Sequence, residues 1–239
     1  MAHSRTRRDS KSRTETVDVA TDGRSTRWDE HRAQRQGELL DAAVSLIEAE
    51  GPRFRVGRLA EHAGLPRSVL YRHFKDRAGL ERLIRRRVVD AFMRQLEPTM
   101  RFEGTVAEST RQVINAYLDW VVSHPSLYAY VGVGTHSLSD GSVVADAKTA
   151  IARTLADRFR EVLDSIGVHD APIMPIATGL VGFVDATVNQ WVADGQEATS
   201  EGELREILVL AAEAILESGL AYLGVRIPPD QPLKDLLVP

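Results

Sequence analysis

The sequence predicts an all-α fold in which a small three-helix domain precedes a larger helical body. Three observations lead to this prediction. Apolar residues recur with helical spacing along most of the 239 residues, no segment alternates apolar and polar residues as a strand would, and Gly or Pro separates the helical segments. Hydrophobic residues make up 43% of the chain, which is enough to build a core. The absence of cysteine excludes a disulfide framework, a thiolate zinc site and a cysteine nucleophile.

Residues 1–27 are rich in Ser, Thr and Arg and contain almost no large apolar side chain. Such a segment cannot bury enough surface to offset its ordering entropy, so we expect a disordered basic N-terminal arm. The net charge of −4 is unevenly distributed, because the first 80 residues are net basic and the remainder is acidic. This asymmetry is a hint of nucleic-acid contact at the N-terminal end, where the arm is either a solvated tail or a part of that contact.

Three short helical patterns follow within residues 28–76. In the first, one helical face is apolar: Leu39, Leu40, Ala43, Leu46 and Ile47. Gly51 and Pro52 end this helix, Gly64 ends the second, and Pro66 is suited to the first turn of the third. The spacing therefore predicts a compact three-helix domain.

The remainder of the chain is also predicted to be helical. Residues 77–98 form a connecting helix that ends at Pro98, and residues 99–226 form the larger body. Within that body we expect helices at 105–123, 126–133, 143–166, 172–193 and 203–223, with a polar loop at 134–142. Residues 227–239, "IPPDQPLKDLLVP", are predicted to be a Pro-rich C-terminal tail. The apolar run 171–184 is too short to span a bilayer and no signal peptide is evident, so we expect a cytoplasmic protein with no membrane partner.

The second and third helices, joined by "AGL" at 63–65, have the anatomy of a helix-turn-helix. Ala60 is small enough for the helices to cross closely, and Gly64 supplies the left-handed turn residue. Leu59, Leu65 and Leu70 fill the space between the helices. The outer face of the third helix is then left with four side chains that can donate hydrogen bonds to phosphates and base edges: Arg67, Ser68, Tyr71 and Arg72. Residues 28–76 therefore predict a DNA-binding domain.

The stretch 39–80, "LLDAAVSLIEAEGPRFRVGRLAEHAGLPRSVLYRHFKDRAGL", resembles the DNA-binding domain of TetR-family transcriptional regulators. The resemblance lies in the "AA" of the first helix, Gly51 at its end, "LAEHAGL" and "LYRHFKDRAGL". It implies a ligand-responsive regulator that binds a palindromic operator in double-stranded DNA as a homodimer. It favours a repressor, released from DNA when a small effector binds the helical body.

The resemblance also implies contacts with DNA for nine residues around the third helix. They are Arg55, Arg67, Ser68, Val69, Tyr71, Arg72, His73, Lys75 and Arg77. Residues 67–69 occupy base-reading positions, whereas Tyr71 and His73 occupy phosphate-contacting positions. Arg72 can reach either, and the other basic residues favour the DNA backbone.

Two residues depart from the family pattern. Arg55 or Val56 stands where the family commonly has a Thr or Ser that caps the second helix, and Pro66 stands where a Ser usually caps the third. Pro tolerates the first turn of a helix but accepts no capping hydrogen bond through a side chain. We therefore expect both helices to lack a side-chain N-cap.

The resemblance further implies an effector pocket inside the helical body and an intersubunit bundle made by the last two helices. The candidate pocket residues are Tyr117, Trp120, Tyr128, Phe159, Met174, Phe183 and Trp191. The candidate dimer-interface residues are Gly179, Gly182, Ala186, Leu208, Ala211, Ala212 and Ile215. Ordinary core packing is the alternative for both sets. Because the candidate pocket walls are mostly apolar, we expect a hydrophobic effector such as a fatty acyl chain or another lipophilic compound.

An alternative function stays open at this point, namely a helical ligand-binding protein or an enzyme whose helix-turn-helix is an accessory or protein-contact module. The loop 134–142 contains residue types found in catalytic triads, His136, Ser137, Ser139 and Asp140, but nothing in the sequence orients them. No P-loop, HExxH or GxGxxG context is present. We therefore expect no enzymatic activity, no cofactor and no metal.

Overall fold

A computed structural model of the chain describes residues 22–132, 141–195 and 198–237, with side chains described from residue 30 in the first range and from residue 143 in the second. Within these ranges the chain forms α-helices, one 3-10 helix and no strand, which confirms the predicted all-α fold. The helices are α1 (Asp22–Glu50), α2 (Val56–His62), α3 (Arg67–His73), α4 (Arg77–Leu96), α5 (Val106–Ser123), α6 (Pro125–Gly132), α7 (Gly141–Ser165), α8 (Ile173–Ala193), α9 (Glu201–Tyr222) and α10 (Leu233–Leu236).

The chain divides into two units, Met1–Glu38 and Leu39–Pro239. In the first unit, α1 begins at Asp22, so residues 22–27 are helical where disorder was predicted. The rest of the predicted arm, 1–21, lies outside the described residues. Near the end of this unit the Arg35 guanidinium donates to the Glu38 carboxylate at 2.8 Å, an exposed pair three residues apart on one helix face.

In the second unit, the first four helices share one small core. Its buried side chains are Leu39, Ala43, Ile47, Val56, Leu59, Ala60, Leu70, Phe74, Leu80 and Ile84. They recur at helical spacing on each element, so each helix turns one apolar face inward. Helix α4 adds Leu80 and Ile84 to the same buried cluster.

The turn between α2 and α3 has the geometry that its sequence predicts. Gly64 adopts a φ of +63°, which a residue with a Cβ adopts only with strain. The Gly64 and Leu65 backbone N–H groups donate to the carbonyls of Glu61 and Ala60 at 3.1 and 2.9 Å, a pair of bonds that closes the C-terminus of α2. The residues before α2 and α3, Arg55 and Pro66, make no side-chain cap, as the sequence predicts.

The larger body is built mainly from α5, α7, α8 and α9, with α8 packed along α7 and α9 packed along α5. Helices α5 and α9 both begin with a complete capping box, formed by Thr105 with Glu108 and by Ser200 with Glu203. These reciprocal hydrogen bonds fix where each helix starts, because they satisfy N–H groups that the helix itself leaves free.

Two segments differ from the sequence prediction. The connecting helix ends at Leu96 and continues as a 3-10 helix, Glu97–Arg101. In the predicted Pro-rich tail, α10 follows Pro232, and Leu233 is buried with its backbone N–H donating to the Gly104 carbonyl at 2.8 Å. The tail therefore packs against the body through the buried Leu233 side chain and its backbone bond to Gly104.

Candidate functional site

Helix α3 has two clearly different faces. Leu70 and, just past the helix end, Phe74 are almost fully buried, whereas Arg67, Ser68 and Arg72 are exposed. Tyr71 is 37% exposed, and Val69 and His73 are half-buried. The residues predicted to read bases and bind phosphates therefore share one solvent-facing side, with His73 and Val69 at its margin.

The side chain of Arg67 lies over Gly57 in the first turn of α2. A Cβ built on Gly57 would lie only 2.3 Å from the Arg67 Nη2 atom, so the missing side chain at Gly57 makes room for the guanidinium. Sequence reasoning did not identify Gly57, although a Gly inside a predicted helix is a signal of close approach. The Arg67 guanidinium therefore lies in space that a side chain at position 57 would otherwise use.

The basic residues that flank α3 differ in how firmly they are held. Arg55 and Lys75 are exposed. The Arg77 Nε atom donates to Glu81 at 2.8 Å, which raises the pKa of Arg77 and fixes it along α4. Arg58, by contrast, is shared between the carboxylates of Glu50 and Glu61 at 2.6 and 2.8 Å, so it serves to join α1 to α2.

Helix α4 connects the helix-turn-helix to the larger body. The Arg87 guanidinium makes a bidentate bond to the Asp41 carboxylate, with both contacts at 2.8 Å, which joins α4 to α1. Farther along α4, Val88, Phe92 and Leu96 face a cavity in the body. The first half of α4 thus packs in the helix-turn-helix region, and its second half forms part of the cavity wall.

The short helix α6 makes a second connection. The Tyr130 ring packs edge-on against Phe54, with ring centroids 6.3 Å apart, and the Arg85 guanidinium lies 5.4 Å from the centroid of the same ring. Between α5 and α6, the ring of His124 hydrogen-bonds the Glu48 carboxylate of α1. Tyr128, also on α6, lines the cavity in the larger body. Helix α6 therefore contacts both the helix-turn-helix region and the cavity, as α4 does.

The cavity has a volume of about 200 Å³ and walls from α4, α5, α6, α7, α8 and α9. Aliphatic and aromatic side chains dominate these walls. Of the predicted pocket residues, Tyr117, Trp120, Tyr128 and Phe159 line the cavity. Met174, Phe183 and Trp191 do not. The Trp191 ring N–H donates to the Thr199 carbonyl at 2.8 Å, which gives this side chain a structural role.

Polar groups gather in one part of the cavity wall. The Tyr117 and Tyr128 hydroxyl oxygens are 3.3 Å apart, and the Tyr128 hydroxyl donates to Asn189 Oδ1 at 2.8 Å. Nearby, the Lys148 ammonium donates to Asp185 at 2.5 Å. Burial raises the pKa of Tyr117 well above its usual value and that of Tyr128 to about 12. Sequence reasoning found the two tyrosines but missed their polar partners, which come from other helices.

Elsewhere in the wall, Ser109 was also missed by the sequence analysis. It is only 3% exposed, and its hydroxyl has no hydrogen-bond partner within the described part of the chain. Its spacing in the sequence could have identified it as a cavity residue. Ser109, Val113 and Tyr117 lie four residues apart on α5, so they share the helix face that lines the cavity.

The predicted dimer residues fall into different environments. Gly179, Gly182 and Ala186 are exposed along α8, and Ala211 and Ile215 are half-buried on α9. Leu208 and Ala212 are almost fully buried in the chain's own core, so we exclude them from any interface. The exposed side of α9 instead carries apolar residues that the sequence analysis did not select: Ile207 (51% exposed), Leu210 (62%) and Tyr222 (83%).

Two other kinds of site are absent from the described residues. No group of three His, Asp or Glu side chains there comes together in a way that could hold a metal ion. None of the helices there is long and apolar enough to cross a membrane. The triad-like residues His136, Ser137, Ser139 and Asp140 lie outside the described ranges.

Comparisons with known proteins agree with this arrangement. Residues 39–82 match the family described as "Bacterial regulatory proteins, tetR family". An HTH-type transcriptional regulator of Mycobacterium tuberculosis (strain ATCC 25618 / H37Rv) is 29% identical over 186 residues, which cover 77% of this chain and 79% of the relative. A TetR-family transcriptional regulator from Streptomyces coelicolor superposes with a TM-score of 0.63 at 20% identity, over 86% of this chain and 95% of that chain.

A further solved structure is that of the transcriptional regulator FadR from Bacillus subtilis in complex with stearoyl-CoA. It superposes with a TM-score of 0.56 at 19% identity, over 79% of this chain and 98% of that chain. The matched family is one of DNA-binding regulators, in agreement with the prediction that the chain is not an enzyme. Residues 39–82 of this chain therefore match the helix-turn-helix of the tetR family, and the chain as a whole has the fold of solved TetR-family regulators.

Proposed function

We propose that this regulator is a homodimeric repressor that binds a palindromic operator and is released by a lipophilic small molecule. The observation that carries the proposal is the shared helix α4. Its first half packs Leu80 and Ile84 into the DNA-binding domain, and its second half presents Val88 and Phe92 to the cavity. A change in the cavity wall therefore acts on the element that positions α3.

On the DNA side, the exposed face of α3 enters the major groove with Arg67 and Ser68 near base edges. Tyr71, Arg72 and Lys75 lie beside them and supply phosphate contacts. In a homodimer the two copies of α3 read half-sites about one helical turn of DNA apart, which accounts for a palindromic operator. A dimer bound at a promoter excludes RNA polymerase from that site, so repression requires no further contact.

On the effector side, the cavity supports a lipophilic ligand because its walls are mostly apolar and bear few polar groups. The likeness to FadR, solved with stearoyl-CoA, supports an acyl compound as one candidate within this class. A ligand can release the operator only if it binds the DNA-free arrangement of the dimer more tightly than the DNA-bound one. Helices α4 and α6 supply that coupling, because each touches both the cavity and the DNA-binding domain.

The experiment that tests DNA recognition begins with selection of bound fragments from a random DNA pool. With the selected operator, we expect Arg67→Ala to weaken binding by about 1–3 kcal/mol and to relax the preferred base, as for a base-reading Arg. We expect Lys75→Ala to weaken operator and unrelated DNA alike and to reduce the dependence of affinity on salt. Gel-shift titrations over a salt series measure both effects.

Arg158→Ala is the matched control, because Arg158 is an exposed arginine on α7 that pairs with Glu161 at 2.9 Å, outside the helix-turn-helix. It should leave the affinity for DNA unchanged. Unaltered binding by Arg67→Ala would contradict the assignment of α3 as the recognition helix.

A reporter gene placed behind the selected operator distinguishes repression from activation. Reporter expression should rise when the gene for a repressor is deleted and fall when the gene for an activator is deleted.

The dimer that we propose uses the exposed sides of α8 and α9. Small residues on α8, Gly179, Gly182 and Ala186, allow close approach of a second copy, and Ile207 and Leu210 on α9 provide apolar area. The half-buried Ala211 and Ile215 lie at its margin.

We expect Leu210→Arg to weaken dimerisation about tenfold or more, because a charge in the centre of an apolar interface loses its hydration. Sedimentation measured over a range of protein concentrations reports the dissociation constant. Ile166→Arg is the control, because Ile166 is an exposed apolar residue just past the end of α7. Equal sedimentation of both variants and the parent chain would argue against this interface.

A further inference from the structure

The polar groups in the cavity wall form a chain of hydrogen bonds whose direction is fixed at one end. The backbone carbonyl of Asp185 can only accept, so the Asn189 side chain must present its Nδ2 group there, at 2.8 Å. The amide oxygen of Asn189 is thereby turned toward Tyr128. Because that oxygen can also only accept, the Tyr128 hydroxyl donates its hydrogen to it, at 2.8 Å.

The direction of the next bond follows. The hydrogen of the Tyr128 hydroxyl is already used, so in the 3.3 Å contact between the two tyrosines it is the Tyr117 hydroxyl that donates. Tyr117 then has no hydrogen left, and its oxygen can only accept a further bond. Burial raises the pKa of both hydroxyls, so both keep their hydrogens at neutral pH and this direction persists.

The charges in the wall are already paired with each other. Among the described residues that line the cavity, Lys148 is the single cation, and it donates to the Asp185 carboxylate at 2.5 Å. A carboxylate or phosphate on a ligand could reach only the remaining N–H groups of Lys148, and there it would lie beside the negative charge of Asp185. This part of the wall therefore favours an uncharged hydrogen-bond donor over an anion.

A second polar group, the hydroxyl of Ser109, lies on the same cavity wall. Ser109 precedes Tyr117 by two steps of four residues on α5, with Val113 between them, which separates the two by about 12 Å along the helix axis. The Ser109 hydroxyl is buried and has no hydrogen-bond partner in the described part of the chain. Burying a hydroxyl without a partner is unfavourable, and a polar atom of a bound ligand would satisfy it.

We infer that the effector is an elongated, uncharged lipophilic molecule with a polar group at each end. One end is a hydrogen-bond donor, such as a hydroxyl or an amide N–H, that binds the Tyr117 oxygen. The other is a second polar group that binds Ser109, about 12 Å away along α5. This inference rests on the proposed role of the cavity as the effector site. It narrows the expected effectors from lipophilic compounds in general to molecules with an uncharged polar group at each end, one of them a hydrogen-bond donor, and it excludes free fatty acids.

The test uses three probes of equal chain length, decane-1,10-diol, decan-1-ol and decanoic acid, titrated calorimetrically into the full-length protein. We expect the diol to bind about tenfold more tightly than the alcohol, the gain from one added hydrogen bond in a buried site. We expect the acid to bind more weakly than the alcohol. Ser109→Ala should remove the advantage of the diol, and Tyr117→Phe should weaken the diol and the alcohol about tenfold while leaving the acid unchanged.

Thermal unfolding separates these effects from damage to the fold. Ser109→Ala removes a buried, unpartnered hydroxyl, so we expect its melting temperature to be equal to or higher than that of the parent chain. Ser165→Ala is the matched control, because the Ser165 hydroxyl donates to the Val162 carbonyl near the end of α7 and does not line the cavity. It should leave all three affinities unchanged.

The outcomes distinguish this inference from the proposed function. Tighter binding of the acid than of the alcohol, or an unchanged affinity of Ser109→Ala for the diol, would overturn the inference and leave a lipophilic effector site in place. Absence of binding by all three probes would overturn the effector role of the cavity, and the inference with it.

Discussion

Replacing Phe74 with Ala is expected to lower the free energy of unfolding by about 3–5 kcal/mol, the range for truncating a buried aromatic side chain. Phe74 is 1% exposed and follows the last residue of α3, where it belongs to the core shared by α1, α2 and α4. The substitution leaves a cavity beneath α3. Urea unfolding followed by circular dichroism measures the loss of stability, and operator binding should fall with it.

Tyr71→Ala is the matched control, because Tyr71 is an aromatic residue of the same helix with 37% of its surface exposed. It should change stability by little but weaken binding to DNA, since the side chain lies on the outer face. Equal stability of Phe74→Ala and the parent chain would show that the helix-turn-helix does not depend on this core contact.

Filling the cavity is expected to abolish binding of a lipophilic probe without loss of DNA binding. Val113 lies in the cavity wall between Ser109 and Tyr117, and the cavity measures about 200 Å³. In Val113→Trp the indole ring occupies space that a ligand would use, at a cost of about 1–3 kcal/mol if the ring packs imperfectly. We expect Nile red, a neutral lipophilic dye, to lose its bound fluorescence, while gel-shift affinity for the operator stays the same.

The control for this variant is Val122→Trp, because Val122 is on the same helix but is 40% exposed and does not line the cavity. It should bind the dye as the parent chain does. Retained binding in Val113→Trp would mean that the dye occupies a different site, and the proposed effector cavity would have to be reassigned.

The helix-turn-helix could be predicted from the sequence because its determinants are close together in the chain. Gly64 sets the turn, Leu59 and Leu70 fill the space beneath it, and each acts within a few residues of the others. Once that inner face is fixed, the helical period determines the outer face. The side of α3 that carries Arg67 and Tyr71 therefore followed from local sequence, and exposure in the structure agrees with it.

The interior of the larger body could not be predicted in the same way. Helix α9 has apolar residues on more than one face, and the positions of α5 and α8 decide which of these faces is buried. For this reason Leu208 and Ala212 were wrongly selected as interface residues, while the exposed Leu210 was not selected. The same difficulty applies to Ser109 and Asn189, whose role depends on which helices surround the cavity.

The contact of Arg67 with Gly57 has a consequence for attempts to change operator preference. A side chain at position 57 would occupy the space that the Arg67 guanidinium now fills, although residue 57 lies on a different helix from the residues proposed to read bases. The two positions are therefore expected to be interdependent when recognition helices are exchanged between regulators. In such an exchange, position 57 should therefore be varied together with residues 67–73.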